Sequence, residues 1–204
     1  GLNRLLVEAA GRLPGVRLFF DRRCTRFDIA TRELEFQAGG ESHRLRADFV
    51  IAADRAYSAV RQALQRRERF DYSQEYLTHG YKELTIPAGP GGAFALDPNA
   101  LHIWPRGHFM MIALPNLDGS FTCTLFWPYE GPGSFAALQS DQQIEAFFQE
   151  QFPDAVPLLA DLASTFRHNP VGALVTIRCR PWHLDDRVVL VGDACHAVVP
   201  FLGQ

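Results

Sequence analysis

Two short apolar runs, each ending in an aspartate, constrain the fold more than any other feature of the sequence. "ADFVIAAD" (47–54) ends at Asp54, and "RVVLVGD" ends at Asp193. A continuous apolar run of this length predicts a strand covered on both faces, and each run leads into a helical pattern. Ligands bind at the carboxyl ends of strands in open α/β sheets. The two aspartates are therefore candidates for helix caps or for ligands of sugar or ribityl hydroxyls at one sheet edge.

The first third of the chain has an α/β pattern. Apolar residues at helical spacing predict a helix over 2–13, and the run "VRLFF" predicts a strand at 16–20. Two alternating segments within 24–39 predict a hairpin, and 56–67 predicts a helix after the strand at 47–54. This region is therefore α/β in character.

The middle of the chain predicts an antiparallel sheet. Pro105-Arg106-Gly107 and Asp118-Gly119 are typical hairpin turns between strand-like runs. The predicted strands are 81–87, 101–105, 108–114 and 120–127.

Helices and then strands follow this sheet. Ser140 and Gln143 have the spacing of a capping box and predict the start of a helix, with a second helix over 154–163. Strand patterns return from 174 onward. We therefore predict an α/β (α+β) fold in which an antiparallel-sheet domain (71–180) interrupts a Rossmann-like α/β domain (1–70 and 181–204).

Composition and charge exclude several classes of protein. Hydrophobic residues make up 47% and charged residues 21% of the chain, with a net charge of -3. This balance argues against nucleic acid or an anionic membrane as a partner. No apolar run approaches the roughly 20 residues that a transmembrane helix needs. The four cysteines have no CxxC or metal-ligand spacing, which favours free thiols in a reducing, cytoplasmic compartment.

Two segments resemble the motifs of a known family. "GDACHAVVPFLGQ" resembles the GDAAHxxxPxxGQG motif of the class A FAD-dependent aromatic hydroxylases, and "ADRAYSAVR" resembles their DGAxSxVR motif. The intervening stretches "RFDYSQEYLTHGYKELTIP", "LHIWPRGHFMMIALPNLDGSFTCTLFWP" and "FFQEQFPDAVPL" resemble the kynurenine 3-monooxygenase branch of that family. The resemblance covers essentially the whole chain. The family's GxGxxG loop does not occur in it, so we expect an internal segment of a longer protein.

The resemblance implies a set of cofactor-binding residues. Cys24 matches a position on the adenine side of FAD, Asp193 matches the aspartate on the ribityl chain, and two later residues match positions beside the flavin ring. The implied FAD contacts are Cys24, Asp54, Ala59, Asp193, Pro200 and Gly203.

The resemblance also implies that the sheet lines the substrate pocket. Met110, Ile112 and Leu114 alternate along one strand and so share one face, which by itself is typical of a plain core face. Against a flat aromatic substrate, an apolar wall is also what a pocket requires. The implied substrate contacts are Leu101, Met110, Ile112, Leu114, Phe126 and Phe201.

The chain departs from the family pattern at Arg55, where the second motif has glycine. Glycine permits close backbone approach or a positive φ. An arginine there either pairs with a phosphate or blocks its approach. We hypothesise that Arg55 weakens the reduction of the flavin by NADPH.

The implied reaction is the hydroxylation of L-kynurenine to 3-hydroxykynurenine with NADPH and O2, in tryptophan catabolism. The substrate's own amine activates its ring, so no catalytic acid or base is implied, and His102 and His196 are expected to be packed or capping residues. Two alternatives stay open. One is another class A aromatic hydroxylase, and the other is a non-catalytic segment unable to hold FAD.

Overall fold

The computed structural model describes residues 2–199, which contain both helices and strands. The helices are α1 (Leu2–Gly11), α2 (Ala59–Gln65), α3 (Asp141–Gln151), α4 (Leu162–His168) and α5 (Asp193–His196). The strands are β1 (Arg23–Asp28), β2 (Glu33–Ala38), β3 (Glu41–Arg46), β4 (Val50–Ala52), β5 (Asp71–Ile86), β6 (His102–Arg106), β7 (Phe109–Pro115), β8 (Phe121–Pro128), β9 (Gly172–Arg180), β10 (His183–Leu184) and β11 (Val188–Leu190). This mixed content, with antiparallel sheets and a parallel pair, confirms the predicted α/β (α+β) class.

The chain divides into two compact units. The first contains the chain up to Tyr76 together with the chain from Val175 onward, and the second is Leu77–Leu174. The chain passes from one unit to the other within β5 and within β9. The domain boundaries predicted from sequence, 70/71 and 180/181, fall at the start of β5 and at the end of β9.

β1, β2 and β3 form an antiparallel sheet in the first unit. Phe27 pairs with Leu34 across the predicted hairpin, which is confirmed. Both side chains are buried and pack with Val60 and Leu64 of α2 in one apolar cluster. The third strand was missed from sequence, because every residue of β3 is exposed and its polar sequence has no apolar alternation to detect.

Two strand predictions for the first unit are wrong. Residues 16–20 are exposed and form no strand, since no strand of the described chain pairs with them. β4 has only three residues, and Ile51 is 67% exposed between the buried Val50 and Ala52. Among the described residues this strand is therefore covered on one face, not on both as predicted.

The second unit is built on a five-stranded sheet of order β6-β7-β8-β5-β9, with β9 continuing into the first unit. Both predicted hairpins are present, and their turns use Gly107 at φ 67° and Gly119 at φ 88°. A β-carbon on Gly119 would lie 2.3 Å from the carbonyl oxygen of Gly92, so no larger residue fits that turn.

The apolar core of the second unit lies on one face of this sheet. Trp127 of β8 stacks on Phe147 of α3 with 4.2 Å between ring centroids. The fully buried members from the sheet and from α3 include Met111, Ala113, Phe121, Cys123, Leu125, Trp127, Ile144 and Phe148. Because side chains alternate along a strand, Met110, Ile112 and Leu114 belong to the opposite face. The main apolar cluster of this unit uses Met111 and Ala113 instead of that triplet, of which Ile112 is buried and Leu114 is 45% exposed.

The helices of the second unit follow their local signals in part. The capping box is confirmed: Ser140 Oγ accepts from Gln143 N at 3.3 Å, and Gln143 Oε1 accepts from Ser140 N at 3.0 Å. The helix predicted over 154–163 is wrong, because a 3₁₀ turn at Val156–Leu158 and then α4 occupy this region. Asp161, with a left-handed backbone at φ 47°, separates the two.

No helix within residues 2–199 is both long and apolar enough to cross a membrane.

All four cysteines are free thiols; Cys123, Cys179 and Cys195 are buried, and Cys24 is partly buried. Burial raises the pKa of Cys123 to about 12, so this thiol stays protonated.

We predict that Ser140→Ala lowers the free energy of unfolding by about 1 kcal/mol, because the first turn of α3 loses its side-chain acceptor. Ser164→Ala is the matched control, since Ser164 is exposed inside α4, where alanine is the better helix former. Urea unfolding of both variants measures the difference, and equal stability of the two would contradict the capping assignment.

Candidate functional site

The two aspartate-terminated strands lie side by side in the first unit. β4 pairs in parallel with β11, with Val50 opposite Val188 and Ala52 opposite Leu190. Val191 N extends the pairing by donating to Ala52 O at 2.9 Å. Both strands therefore end at the same edge of the sheet, and the segments that carry Asp54 and Asp193 leave from that edge, as the sequence predicted.

Asp54 caps the first turn of α2. Its Oδ2 accepts from Ala59 N at 2.8 Å and from Val60 N at 3.4 Å, while Ser58 Oγ accepts from Arg61 N at 2.8 Å. The capping interpretation of Asp54 and Ser58 is thus confirmed, and it explains why the helix begins at 59 rather than at 56. The other oxygen, Oδ1, is buried and meets no donor among residues 2–199. A buried carboxylate oxygen without a donor is unfavourable unless a ligand supplies one.

Arg61 ties the two aspartate segments together. Its side chain is buried, and its guanidinium donates to Ala194 O at 2.8 Å and to Ala56 O at 2.5 Å. The same guanidinium lies over the ring of Tyr72, 5.1 Å from the centroid. This bridge was not predicted from the sequence. One signal in the sequence could have indicated it. An arginine on a helix that directly follows a buried strand is expected to be buried, and a buried charge needs hydrogen-bond or ionic partners.

A cavity of about 810 Å³ opens beside Asp54. It brings together three of the cofactor residues expected from sequence, Cys24, Asp54 and Ala59. The other lining residues, which were not predicted as FAD contacts, are Asp21, Arg22, Arg23, Thr25, Ala53, Arg55, Tyr57 and Gln62. The three arginines in this lining suit an anionic ligand such as a phosphate.

Cys24 contributes an uncharged thiol to the lining of this cavity. Burial raises the pKa of its thiol, and the negative charge of Asp54 raises it further. Its Sγ lies 3.7 Å from Arg26 O. A thiol held protonated in this way is a poor nucleophile and is suited to packing against a ligand.

Arg55 has a positive φ, the backbone conformation expected of the glycine that the family motif has at this position. Its φ is 67°, in the left-handed region, and its exposed side chain lines the cavity. A residue with a β-carbon is strained in this conformation. The substitution therefore changes two things at once, namely backbone strain and the charge of the cavity.

Asp193 occupies a different position from Asp54. It is the first residue of α5, follows Gly192 at φ 59°, and is exposed rather than part of the cavity lining. Pro200 and Gly203, the two residues expected beside the flavin ring, lie outside the described residues. The structure thus brings together three of the six expected cofactor residues and places a fourth at the same sheet edge.

Neither histidine singled out from sequence has the geometry of a catalytic base. The ring centroids of His196 and Trp182 are 5.1 Å apart, and His102 Nε2 lies 2.9 Å from Asp97 O. Both contacts are typical of packed or turn-stabilising histidines.

Four of the residues expected to bind substrate, namely Met110, Ile112, Leu114 and Phe126, share one face of the second unit's sheet, and Leu101 directly precedes β6. Met110 pairs with Phe126, and both belong to the face opposite the core. Phe126 and Ile112 are buried, whereas Leu101 and Leu114 are 46% and 45% exposed. Phe201 lies outside the described residues. Tyr81, which pairs with Phe126 from β5, belongs to the same face and was missed from sequence.

Comparison with known proteins identifies the chain's relatives. The family model described as "FAD binding domain" matches residues 1–204. The chain is 49% identical to a kynurenine 3-monooxygenase of Flavobacterium psychrophilum and 51% identical to one of Myxococcus xanthus. These alignments cover all of this chain and 46% and 44% of the respective relatives. The chain therefore spans about half the length of the curated relatives it matches.

A solved structure shares the fold. A mutant of 2-methyl-3-hydroxypyridine-5-carboxylic acid oxygenase superposes with a TM-score of 0.71 at 25% identity, covering all of this chain and 52% of that one.

We predict that Arg61→Lys lowers the free energy of unfolding by about 2 kcal/mol, because an ammonium group cannot bridge both carbonyls and leaves a buried acceptor unpaired. Arg66→Lys is the matched control, since Arg66 follows α2 and is exposed. Denaturant unfolding of both variants measures the effect. A loss no larger for Arg61 than for Arg66 would show that the bridge does not stabilise the fold.

Arg55 allows strain to be separated from charge. Arg55→Ala removes the charge and keeps the β-carbon, whereas Arg55→Gly removes both. We expect the glycine variant to be more stable than the alanine variant by about 1 kcal/mol, because glycine relieves the left-handed strain. Thermal unfolding of the pair checks this, and an alanine variant as stable as the glycine variant would contradict it.

Proposed function

The chain belongs to the FAD binding domain family, and from that premise we propose that it forms part of a flavin monooxygenase that hydroxylates L-kynurenine to 3-hydroxykynurenine. The proposal of this substrate is supported by relatives named kynurenine 3-monooxygenase, which are 49% and 51% identical over the whole of this chain. Because the chain spans about half of those relatives, the activity is a proposal for the complete protein.

The residues of the first unit fit part of an FAD site. Asp54 has a buried carboxylate oxygen without a donor, and a ribose or ribityl hydroxyl would supply one. Arg22 and Arg23 provide positive charge for a diphosphate in the same cavity, and the neutral Cys24 and small Ala59 leave room for an adenine. In this proposal Asp193, Pro200 and Gly203 complete the contacts, as the family motif implies.

FAD, when bound, would supply the redox chemistry between NADPH and O2. The balanced reaction is L-kynurenine, NADPH, H⁺ and O2 giving 3-hydroxykynurenine, NADP⁺ and H2O. One oxygen atom forms the new C–O bond on the ring, the ring proton is released, and the other oxygen atom leaves as water. NADPH provides both electrons.

The protein's part in this proposal is to bind, orient and exclude water. Met110, Ile112, Leu114 and Phe126 form an apolar face that suits a flat aromatic ring. Leu101 and Phe201 are the other substrate contacts that the family resemblance implies. The aryl amine of the substrate supplies electron density to the carbon that is attacked, so no acid or base is required of the chain. An apolar wall also keeps water from the reacting atoms.

We further propose a cytoplasmic location. All four cysteines are free thiols, which is typical of a reducing compartment. NADPH, O2 and L-kynurenine are then the small-molecule partners.

The function is tested by purifying the complete protein, recording its flavin spectrum, and following NADPH oxidation with and without L-kynurenine. We expect bound FAD, oxidation stimulated by kynurenine, and 3-hydroxykynurenine as product. Bound FAD without kynurenine stimulation would discard the substrate and favour another aromatic hydroxylase. The absence of bound flavin would favour a protein that has lost the chemistry.

We predict that Asp54→Asn weakens FAD binding about tenfold or more. The amide keeps the shape of the side chain but replaces a charged acceptor with a weaker one. Titration of the deflavinated protein with FAD measures the change, and Asp48→Asn, at an exposed carboxylate outside the cavity, is the control. Equal dissociation constants for the two variants would remove Asp54 from the site.

Arg55 is expected to slow flavin reduction, because an arginine side chain lines the cavity at the position where the family pattern has glycine. We predict faster NADPH-driven reduction in Arg55→Gly than in the unmodified protein, measured by stopped-flow under anaerobic conditions. Arg55→Lys, which keeps both the charge and the β-carbon, is expected to stay slow. Reduction at the same rate in Arg55→Gly would remove this role.

A further inference from the structure

Tyr81 lies in the same cross-strand row as the expected substrate wall. It pairs with Phe126 of β8, and Phe126 pairs in turn with Met110 of β7. Directly paired residues of antiparallel strands project from the same face, so all three side chains belong to the face opposite the core. The rings of Tyr81 and Phe126 are 6.5 Å apart between centroids, within the range of an aromatic contact.

The position of the Tyr81 ring depends on a glycine in the second unit. A β-carbon on Gly172 would lie 2.3 Å from Cζ, 2.4 Å from Cε1 and 2.8 Å from the hydroxyl oxygen of Tyr81. The tyrosine ring therefore fills the space that any larger residue at 172 would take. Gly172 is itself held, because Tyr129 donates its hydroxyl hydrogen to Gly172 O at 3.0 Å.

A small cavity lies beside the same ring. Its volume is about 220 Å³, and Tyr81, Glu83, Asn169, Pro170 and Gly172 line it. If the packing of Tyr81 on Gly172 is lost, the ring has room to turn into this cavity and away from Phe126. Gly172 on one side and Phe126 on the other therefore hold the ring in its place.

We propose that Tyr81 is a positioning residue for the aromatic substrate, acting through Phe126. The ring of Tyr81, seated on Gly172, holds the ring of Phe126 in the orientation that completes the apolar wall. The role belongs to the ring and not to the hydroxyl, and it sets substrate affinity rather than the chemical step. This inference rests on the proposed function, because it needs an aromatic substrate on that face.

The test uses the complete, FAD-loaded protein with L-kynurenine as the probe. The dissociation constant from the change in the flavin spectrum, KM, kcat and FAD content are measured for Tyr81→Phe, Tyr81→Ala, Gly172→Ala and the double variant. We expect about a tenfold rise in the dissociation constant and KM for Tyr81→Ala and for Gly172→Ala, with kcat and FAD content unchanged. Tyr81→Phe should stay within about twofold of the unmodified protein.

The double variant, Tyr81→Ala with Gly172→Ala, is the most specific test of the contact between these two residues. Gly172→Ala should add nothing in the Tyr81→Ala background, since the added methyl group then meets no ring. Should Tyr81→Ala unfold, Tyr81→Leu replaces it and is expected to bind kynurenine more weakly than Tyr81→Phe.

The outcomes separate this inference from the function on which it rests. Failure of the unmodified protein to bind kynurenine would overturn the proposed substrate and this role together. Normal binding by the unmodified protein, with unchanged affinity in Tyr81→Ala or Tyr81→Leu, would overturn this role alone. Equal losses in Tyr81→Phe and Tyr81→Ala would assign the effect to the hydroxyl and also contradict the proposal.

Discussion

The parallel pairing of β4 with β11 is the constraint on which the candidate cofactor site depends. It joins Val50–Ala52 to Val188–Leu190, segments from opposite ends of the chain, and both belong to one buried apolar cluster. Without this pairing, Asp54 and Asp193 would have no common edge. Arg61 of α2 then donates to Ala194 O and so links the helices that follow both strands.

Each unit contributes a different kind of surface. The first presents carboxylates, guanidiniums and a neutral thiol around one cavity, which is the chemistry that a dinucleotide needs. The second presents an apolar face on the side of its sheet opposite the core, which suits a flat ring. Placing the core on Met111 and Ala113 leaves Met110, Ile112 and Leu114 available for another purpose. The alternation of side chains along each strand therefore determines which apolar residues form the core and which form the second face, as much as residue type does.

Local signals in the sequence predicted the elements that depend on local physics. The capping box at Ser140, the glycine turns at 107 and 119, Asp54 just after β4 and Asp193 at the start of α5 are all determined by neighbours in the chain. Two of the features that were missed depend on distant partners: Arg61 reaches Ala194, and Tyr81 rests on Gly172. The third, β3, pairs with the adjacent β2, but its exposed polar residues carry no apolar alternation. The strand predicted at 16–20 was wrong because an apolar run forms a strand only where another strand pairs with it.

Hydrogen exchange of the complete protein, with and without FAD, tests the central claim that the two strand ends act as one cofactor edge. The amides to follow are those of Ala59 and Val60, which donate to Asp54, and those of Cys195 and His196, which donate to Gly192 O. We expect FAD to slow exchange in both segments with the same half-saturation concentration. Protection of one segment alone, or of neither, while FAD is bound would contradict the account.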